Sequence, residues 1–266
     1  VSTKSHGVPL FPTLDGFNYI ISMVEFPDGK YVLLDATEPY STPNILPAKV
    51  LNWNGRKIAK GGKSSWVKLT SSKLATKHNN MMIKISDDLV VSGVMRTKYD
   101  NMNALYYRKN NNHIKEESLI TSLEEKEKIE IEDFKVLNEN NLSKPIIRNI
   151  KFSSEDLIEQ INNKIYIEPL LFLTERTNPF KLEDRKFPVD FVTPWQNKNI
   201  VSITLPEGYK IETIPEAFAI SLPENLGVFK FKASQKGNKV YVHSTLQFNN
   251  AVIPHQYYSV LKEFYS

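Results

Sequence analysis

The strongest constraint on the fold is a two-residue apolar alternation that recurs through the last third of the chain. Val201, Ile203 and Leu205 alternate with Ser202 and Thr204 up to a Pro206-Glu207-Gly208 turn. Phe229 and Phe231 alternate with Lys230 and Lys232, and Val240, Val242, Ser244, Leu246 and Phe248 follow a Gly237-Asn238 turn. A period of two places such side chains on one face of an extended chain. Successive strands of this kind, punctuated by turns, predict a mainly β, sandwich-like fold. Helices are few and short. Met102, Leu105 and Tyr106 predict one, Ile120 with Leu123 another, and Tyr257, Val260, Leu261 and Phe264 a last amphipathic one.

Strand signals extend toward the beginning of the chain. Residues 19–24 and 31–34 flank Pro27-Asp28-Gly29-Lys30 and predict a β-hairpin. Met81 to Ile85 and Leu89 to Thr97 flank Asp87-Asp88 and predict a second, and residues 129–134 read as a further strand. Tyr40 to Asn44 is a loop by composition. Gly61-Gly62-Lys63-Ser64-Ser65 is the best linker, which divides the chain into units at 1–60 and 61–266. In the segment Arg185 to Phe191, alternation places Phe187, Val189 and Phe191 on a buried strand face, with Pro188 near a strand start or edge. Arg185 and Asp190 fall on opposite sides and are expected to pair with other elements.

The residues exclude several classes of chemistry. A formal net charge of +4 invites a nucleic-acid reading, but runs such as Glu124 to Lys128 mix signs as a solvated face does, so no nucleic-acid partner is expected. No stretch is long and apolar enough to suggest a transmembrane segment. The chain has no cysteine, hence no disulfide, thiolate metal site or thiol nucleophile of its own. The five histidines, among them His78, His113 and His243, lack ligand spacing, and Gly61-Gly62 lacks a phosphate-loop pattern. Neither metal nor cofactor is expected. Asp87 with Asp88 reads as a hairpin turn and Asp184 as an ion pair with Arg185, in preference to glycosidase carboxylates. Trp53, Trp66 and Trp195 read as core or interface anchors before sugar platforms.

Several motifs together resemble a known arrangement. Phe17-Asn18-Tyr19-Ile20-Ile21, Leu33-Leu34-Asp35-Ala36-Thr37, Ile45-Leu46-Pro47 and Leu51 to Arg56 resemble the end of the transglutaminase-like domain in exported proteins of Gram-negative bacteria, an α+β, papain-like fold. The opening residues 1–7 look like the strand after its nucleophile-bearing helix. Asn178-Pro179-Phe180, the segment 185–191, Leu205 to Tyr209 and Tyr257 to Lys262 are similar to the domain of unknown function that closes these proteins. The resemblance implies a Cys-His-Asp triad in which the thiolate attacks a carboxamide and the carboxylate orients the imidazole. Asp35 matches the aspartate, Tyr19 stands at the histidine position, and the cysteine helix would precede Val1, which reads as an internal cut. A phenol of ordinary pKa near 10 is no near-neutral base toward a thiol, and using His6 instead would need a rearranged geometry.

The resemblance therefore implies a degenerate site in which Tyr19 fills the former histidine pocket and Asp35 hydrogen-bonds within its hairpin. The expected function is a non-catalytic scaffold or binding module of the cell envelope. Its ligand would be a protein, peptide or glycan, and its partners would include upstream domains of the same protein. The alternatives are part of a thiol protease or transglutaminase whose nucleophile lies upstream, and a carbohydrate-binding module.

Overall fold

The computed structural model describes residues 1, 3, 4 and 16–265. His6 and most of the opening segment lie outside the described residues. The strands in chain order are β1 (Ser22–Glu25), β2 (Tyr31–Leu34), β3 (Trp53–Ile58), β4 (Ser64–Leu69), β5 (Ala75–Ile85) and β6 (Val91–Asp100). Helices α1 (Met102–Asn111) and α2 (Glu116–Glu127) separate them from β7 (Glu130–Leu137), β8 (Ile146–Ser154), β9 (Ile158–Ile161) and β10 (Lys164–Ile167). Then come β11 (Val189–Asp190), β12 (Trp195–Thr204), β13 (Phe218–Ser221), β14 (Gly227–Lys236), β15 (Lys239–Phe248), β16 (Val252–Ile253) and a closing helix α3 (Tyr258–Phe264). The fold is mainly β, with three short helices among the described residues.

The long strands join one eight-stranded sheet in the order β13-β14-β15-β12-β5-β6-β8-β7, and the others form two-stranded ribbons. Every neighbouring pair in that sheet is antiparallel except β12 and β5, which run parallel in register from Trp195 opposite Ala75 to Thr204 opposite Lys84. This pairing splices two antiparallel four-stranded halves. One sheet face is apolar at the far end of these strands, where Met81, Ile83, Ile85, Met95, Phe152, Val201, Ile203 and Val242 are buried. The β9–β10 ribbon packs over it through Ile158 and Ile167.

Turn chemistry accounts for the two predicted hairpins. Gly29, at φ 80°, and the Asp28 carboxylate, which accepts the Lys30 N–H at 3.1 Å, close the β1–β2 turn. Asp87-Asp88 lies in the β5–β6 turn, where the Leu89 N–H donates to the Ser86 carbonyl at 3.0 Å. The glycine-rich linker is instead another hairpin turn. Gly61 and Gly62, at φ 76° and 75°, connect β3 to β4, and the Ala59 N–H donates to the Lys63 carbonyl at 2.8 Å. Positive φ, not interdomain slack, explains these glycines. A second apolar cluster crosses residue 60, joining Leu46, Val50 and Leu51 to Leu69, Ala75, Met102 and Leu105.

Arg108 anchors the far side of that cluster. It is only 2% exposed, and its guanidinium donates to the carbonyls of Asn138, Glu139, Asn141 and Lys144 at 2.8–3.0 Å. One buried cation thus satisfies the polar backbone of the β7–β8 loop.

The 185–191 motif departs from simple alternation. Val189 is buried and Phe191 half-buried, but Phe187 is 76% exposed because the strand covers only Val189 and Asp190. Arg185 Nε donates to the Phe187 carbonyl, while Asp184 accepts the Arg185 backbone N–H at 2.7 Å; no side-chain ion pair forms between them. Asp190 pairs with Lys4 and accepts from Asn52 Nδ2 at 2.7 Å. In α3 the buried residues are Tyr258 and Leu261, while Val260 of the expected stripe faces outward and Tyr257, which lies in a short helical turn before the helix, is half-buried.

Phe191 stacks among Phe180, Trp195 and Phe248, with centroids 4.7–6.5 Å away. Trp195 is therefore a core anchor, as its size suggested. Replacing Phe191 by Ala should cost about 2 kcal/mol, below the roughly 3–5 kcal/mol of a fully enclosed ring. Chemical denaturation at unchanged slope measures it; an unchanged midpoint would remove Phe191 from the core.

Candidate functional site

Polar groups converge in two places, the first being the Tyr19–Asp35 pair. The β1–β2 hairpin brings these residues together. The Tyr19 hydroxyl donates to Asp35 Oδ2 at 2.6 Å and lies 2.6 Å from Thr37 Oγ1. Asp35 Oδ1 accepts from the Thr37 N–H at 2.8 Å, the Thr37 hydroxyl at 2.7 Å and the Glu38 N–H at 3.3 Å. Burial pushes the Asp35 carboxyl upward, but these donors outweigh it and hold its pKa below the ordinary value. Burial, reinforced by the bond to Asp35, pushes the Tyr19 phenol up to about 12. Lys49 Nζ sits 3.9 Å from the Tyr19 ring centroid. A phenol so held keeps its proton near neutral pH. Its bond to Asp35 ties together the two chain segments that flank the β1–β2 hairpin.

The second arrangement is a cavity of about 910 Å³ on the covered face of the large sheet. Its floor continues the rows that form the core, but the residue types change. Along β5 the inward positions Ile85, Ile83 and Met81 give way to Asn79 and Lys77; along β12, Ile203 and Val201 give way to Asn199 and Asn197. The in-register pairing aligns Asn79 with Thr97 and Asn199, and Asn199 with Ser244. A chain of side-chain bonds follows: Thr97 Oγ1 to Asn79 Oδ1 at 2.8 Å, Asn79 Nδ2 to Asn199 Oδ1 at 2.7 Å, and Asn199 Nδ2 to Ser244 Oγ at 3.0 Å. Four strands are thereby joined across a buried polar row, each member satisfied by the next.

Beyond that row lie Lys77 and Arg148, both lining the cavity. Among the described residues no hydrogen bond or ion pair engages either side chain, and Arg148 Nε is buried without an acceptor. Burial, then the positive charges of Arg148 and Lys126, lower the Lys77 pKa; Glu127 and Glu175 act weakly the other way. Two cations therefore face the same space with no carboxylate in contact. The walls come from the end of α2, the β9–β10 ribbon and residues 168–176, where Arg176 is paired with Glu168 at 2.6 Å. The cavity has the size and mixed lining of a small-ligand site.

The resemblance named Tyr19 and Asp35 as positions of one triad, and the structure puts them in contact; the sequence reading missed Lys77, Asn79, Arg148, Asn197 and Asn199. The signal was present: in β5 and β12 the parity of the inward face persists while its residues turn polar. Of the tryptophans, Trp66 is exposed with the Arg56 guanidinium 4.9 Å from its ring, so it is no core anchor. His243 is a surface residue of β15. No helix among the described residues is long and apolar enough to cross a membrane.

Residues 163–266 match the family DUF3858, described as a domain of unknown function with a solved structure. The match is well under half of the chain and runs from the start of β10 through α3. Neither a curated protein nor a solved structure gives a significant match.

Asp35 supplies a direct test of the hairpin. Asp35→Ala leaves the Thr37 and Glu38 donors without their acceptor and should cost about 2–4 kcal/mol at pH 7. A carboxyl with a lowered folded pKa stabilises above its unfolded pKa near 4 and loses that effect as pH falls through the folded value. The stability gap between wild type and variant should therefore narrow below about pH 4. A gap that is flat or widens on acidification would contradict the assignment.

Proposed function

We propose that this chain is a non-catalytic binding module of the cell envelope of a Gram-negative bacterium. In this reading it carries the edge of a degenerate transglutaminase-like domain and binds its ligand in the cavity over the Lys77–Arg148 floor. The observation that carries the reading is this pair of uncompensated cations beside a satisfied polar row. Both side chains are half-buried, and withdrawing charge from water without a partner is costly in proportion, so a fold under selection for stability alone would place apolar residues or a carboxylate there. Retained strain of this kind is a mark of a ligand site. Support for the non-catalytic part comes from the lack of any cysteine in the chain and from the Tyr19 phenol, held protonated against Asp35. Export follows from the resemblance of the 17–56 and 178–262 motifs to exported proteins.

Incubation with a dansyl-amine and a glutamine peptide should give no label above buffer, for the wild type and for Asp35→Ala alike. Protein-dependent label abolished by Asp35→Ala would restore the enzyme reading. On the binding side, an envelope component retained by the wild-type chain should be lost from Lys77→Met. Equal retention by both proteins would move the ligand surface away from the cavity.

A further inference from the structure

We propose that the cavity captures the carboxy terminus of a peptide, with the terminal carboxylate on Lys77 and Arg148 and the last side chain against the apolar wall. The inference deepens the binding-module reading and rests on it. A guanidinium fork and an ammonium together match a carboxylate's two oxygens, and neither group has a competing partner within the described residues. Five carboxylates line the cavity against five cations, so its charge is balanced in total and works against a phosphate dianion, while the half-buried Lys77 and Arg148, with no carboxylate in contact, leave room for a single carboxylate.

The surroundings distinguish a peptide from an acidic sugar. Asn197, opposite Lys77 across the parallel pairing, makes no side-chain hydrogen bond with the described residues and lines the cavity. Its amide offers one donor group and one acceptor, the complement of a peptide bond. The wall presents Leu157, Ile158, Ile167 and Leu173, all half-buried. Such a wall rewards an apolar side chain next to the carboxylate, whereas a uronic acid would bring only hydroxyls to it. Carboxylates at the mouth, among them Glu159 and Glu168, discourage further acidic residues upstream in the peptide.

The probe is a fluorescein-labelled tetrapeptide ending in leucine, prepared as the free acid and as the carboxamide, titrated against the full chain by fluorescence anisotropy. The free acid should bind, and the carboxamide should bind about tenfold more weakly or worse, as expected for loss of charge-assisted hydrogen bonds. Arg148→Gln and Lys77→Met should each weaken the free acid to a similar degree. Neither should lower the melting temperature, because each relieves repulsion between two cations. If one variant fails to fold, the other and the acid–amide comparison, which needs no variant, still decide the matter.

Equal binding of acid and amide would overturn the proposal, as would no binding at millimolar peptide. Displacement by D-glucuronate at concentrations where unlabelled tetrapeptide does not compete would overturn it in favour of an acidic sugar. Mass spectrometry of the recovered probe separates the two levels of the account. An intact bound peptide supports both, a peptide bound and then cleaved keeps the site while ending the non-catalytic reading, and failure of the peptide alone ends only this inference.

Discussion

The parallel pairing of β5 with β12 is the constraint on which the rest of the molecule depends. Each strand otherwise belongs to an antiparallel half of the sheet, β5-β6-β8-β7 on one side and β13-β14-β15-β12 on the other. A parallel pair cannot be closed by a tight turn, so the connection from β5 to β12 carries two helices, three further strands of the sheet, the β9–β10 ribbon and a long irregular stretch. Period-two side-chain geometry makes this register decisive. A one-residue slip along the pairing would turn Val201 and Ile203 away from Met81 and Ile83 and uncouple Asn199 from Asn79. The apolar end of the face then secures the register that the polar end requires.

That division of labour explains how one sheet face serves as both core and site. At the apolar end, buried side chains and the β9–β10 ribbon exclude water. Moving along the same strands, the polar row of Thr97, Asn79, Asn199 and Ser244 forms a boundary in which every amide is satisfied. Past the boundary the cations stand alone. The matched family segment, residues 163–266, supplies β12 and β15 and hence Asn197, Asn199 and Ser244. Lys77, Asn79, Thr97 and Arg148 come from the preceding strands, so the floor is shared between the family segment and the part of the chain outside it.

Much of the architecture was legible because it rests on local rules. The β1–β2 and β5–β6 hairpins follow from turn chemistry at Asp28-Gly29 and Asp87-Asp88, and the alternation in β12, β14 and β15 follows from one-sided burial. The errors have equally local causes. Gly61-Gly62 suits a linker and a positive-φ hairpin turn alike, and only the strand signals on both sides, weakened by Gly55 and Lys57, separate them. Phe187 follows the apolar parity of Val189 but lies outside a strand of two residues, so parity no longer governs its burial. The polar change along β5 and along β12 is visible in each strand, but not that the two meet in one cavity floor. Lys77 and Asn197 become neighbours only through a pairing more than a hundred residues apart, and no short-range pattern reports such a register.

Native-state hydrogen exchange tests the central claim about this pairing most directly. If the β5–β12 pairing unites the sheet, the amides of Met81 and Ile83 and those of Val201 and Ile203 should exchange through one opening, with a common free energy equal to that of global unfolding. They should also lose protection together when a destabilising substitution is introduced on either side. The contrary result is β12, β14 and β15 opening at a clearly lower free energy while β5, β6 and β8 remain protected, which would make the polar floor a loose contact between two independent halves of the sheet.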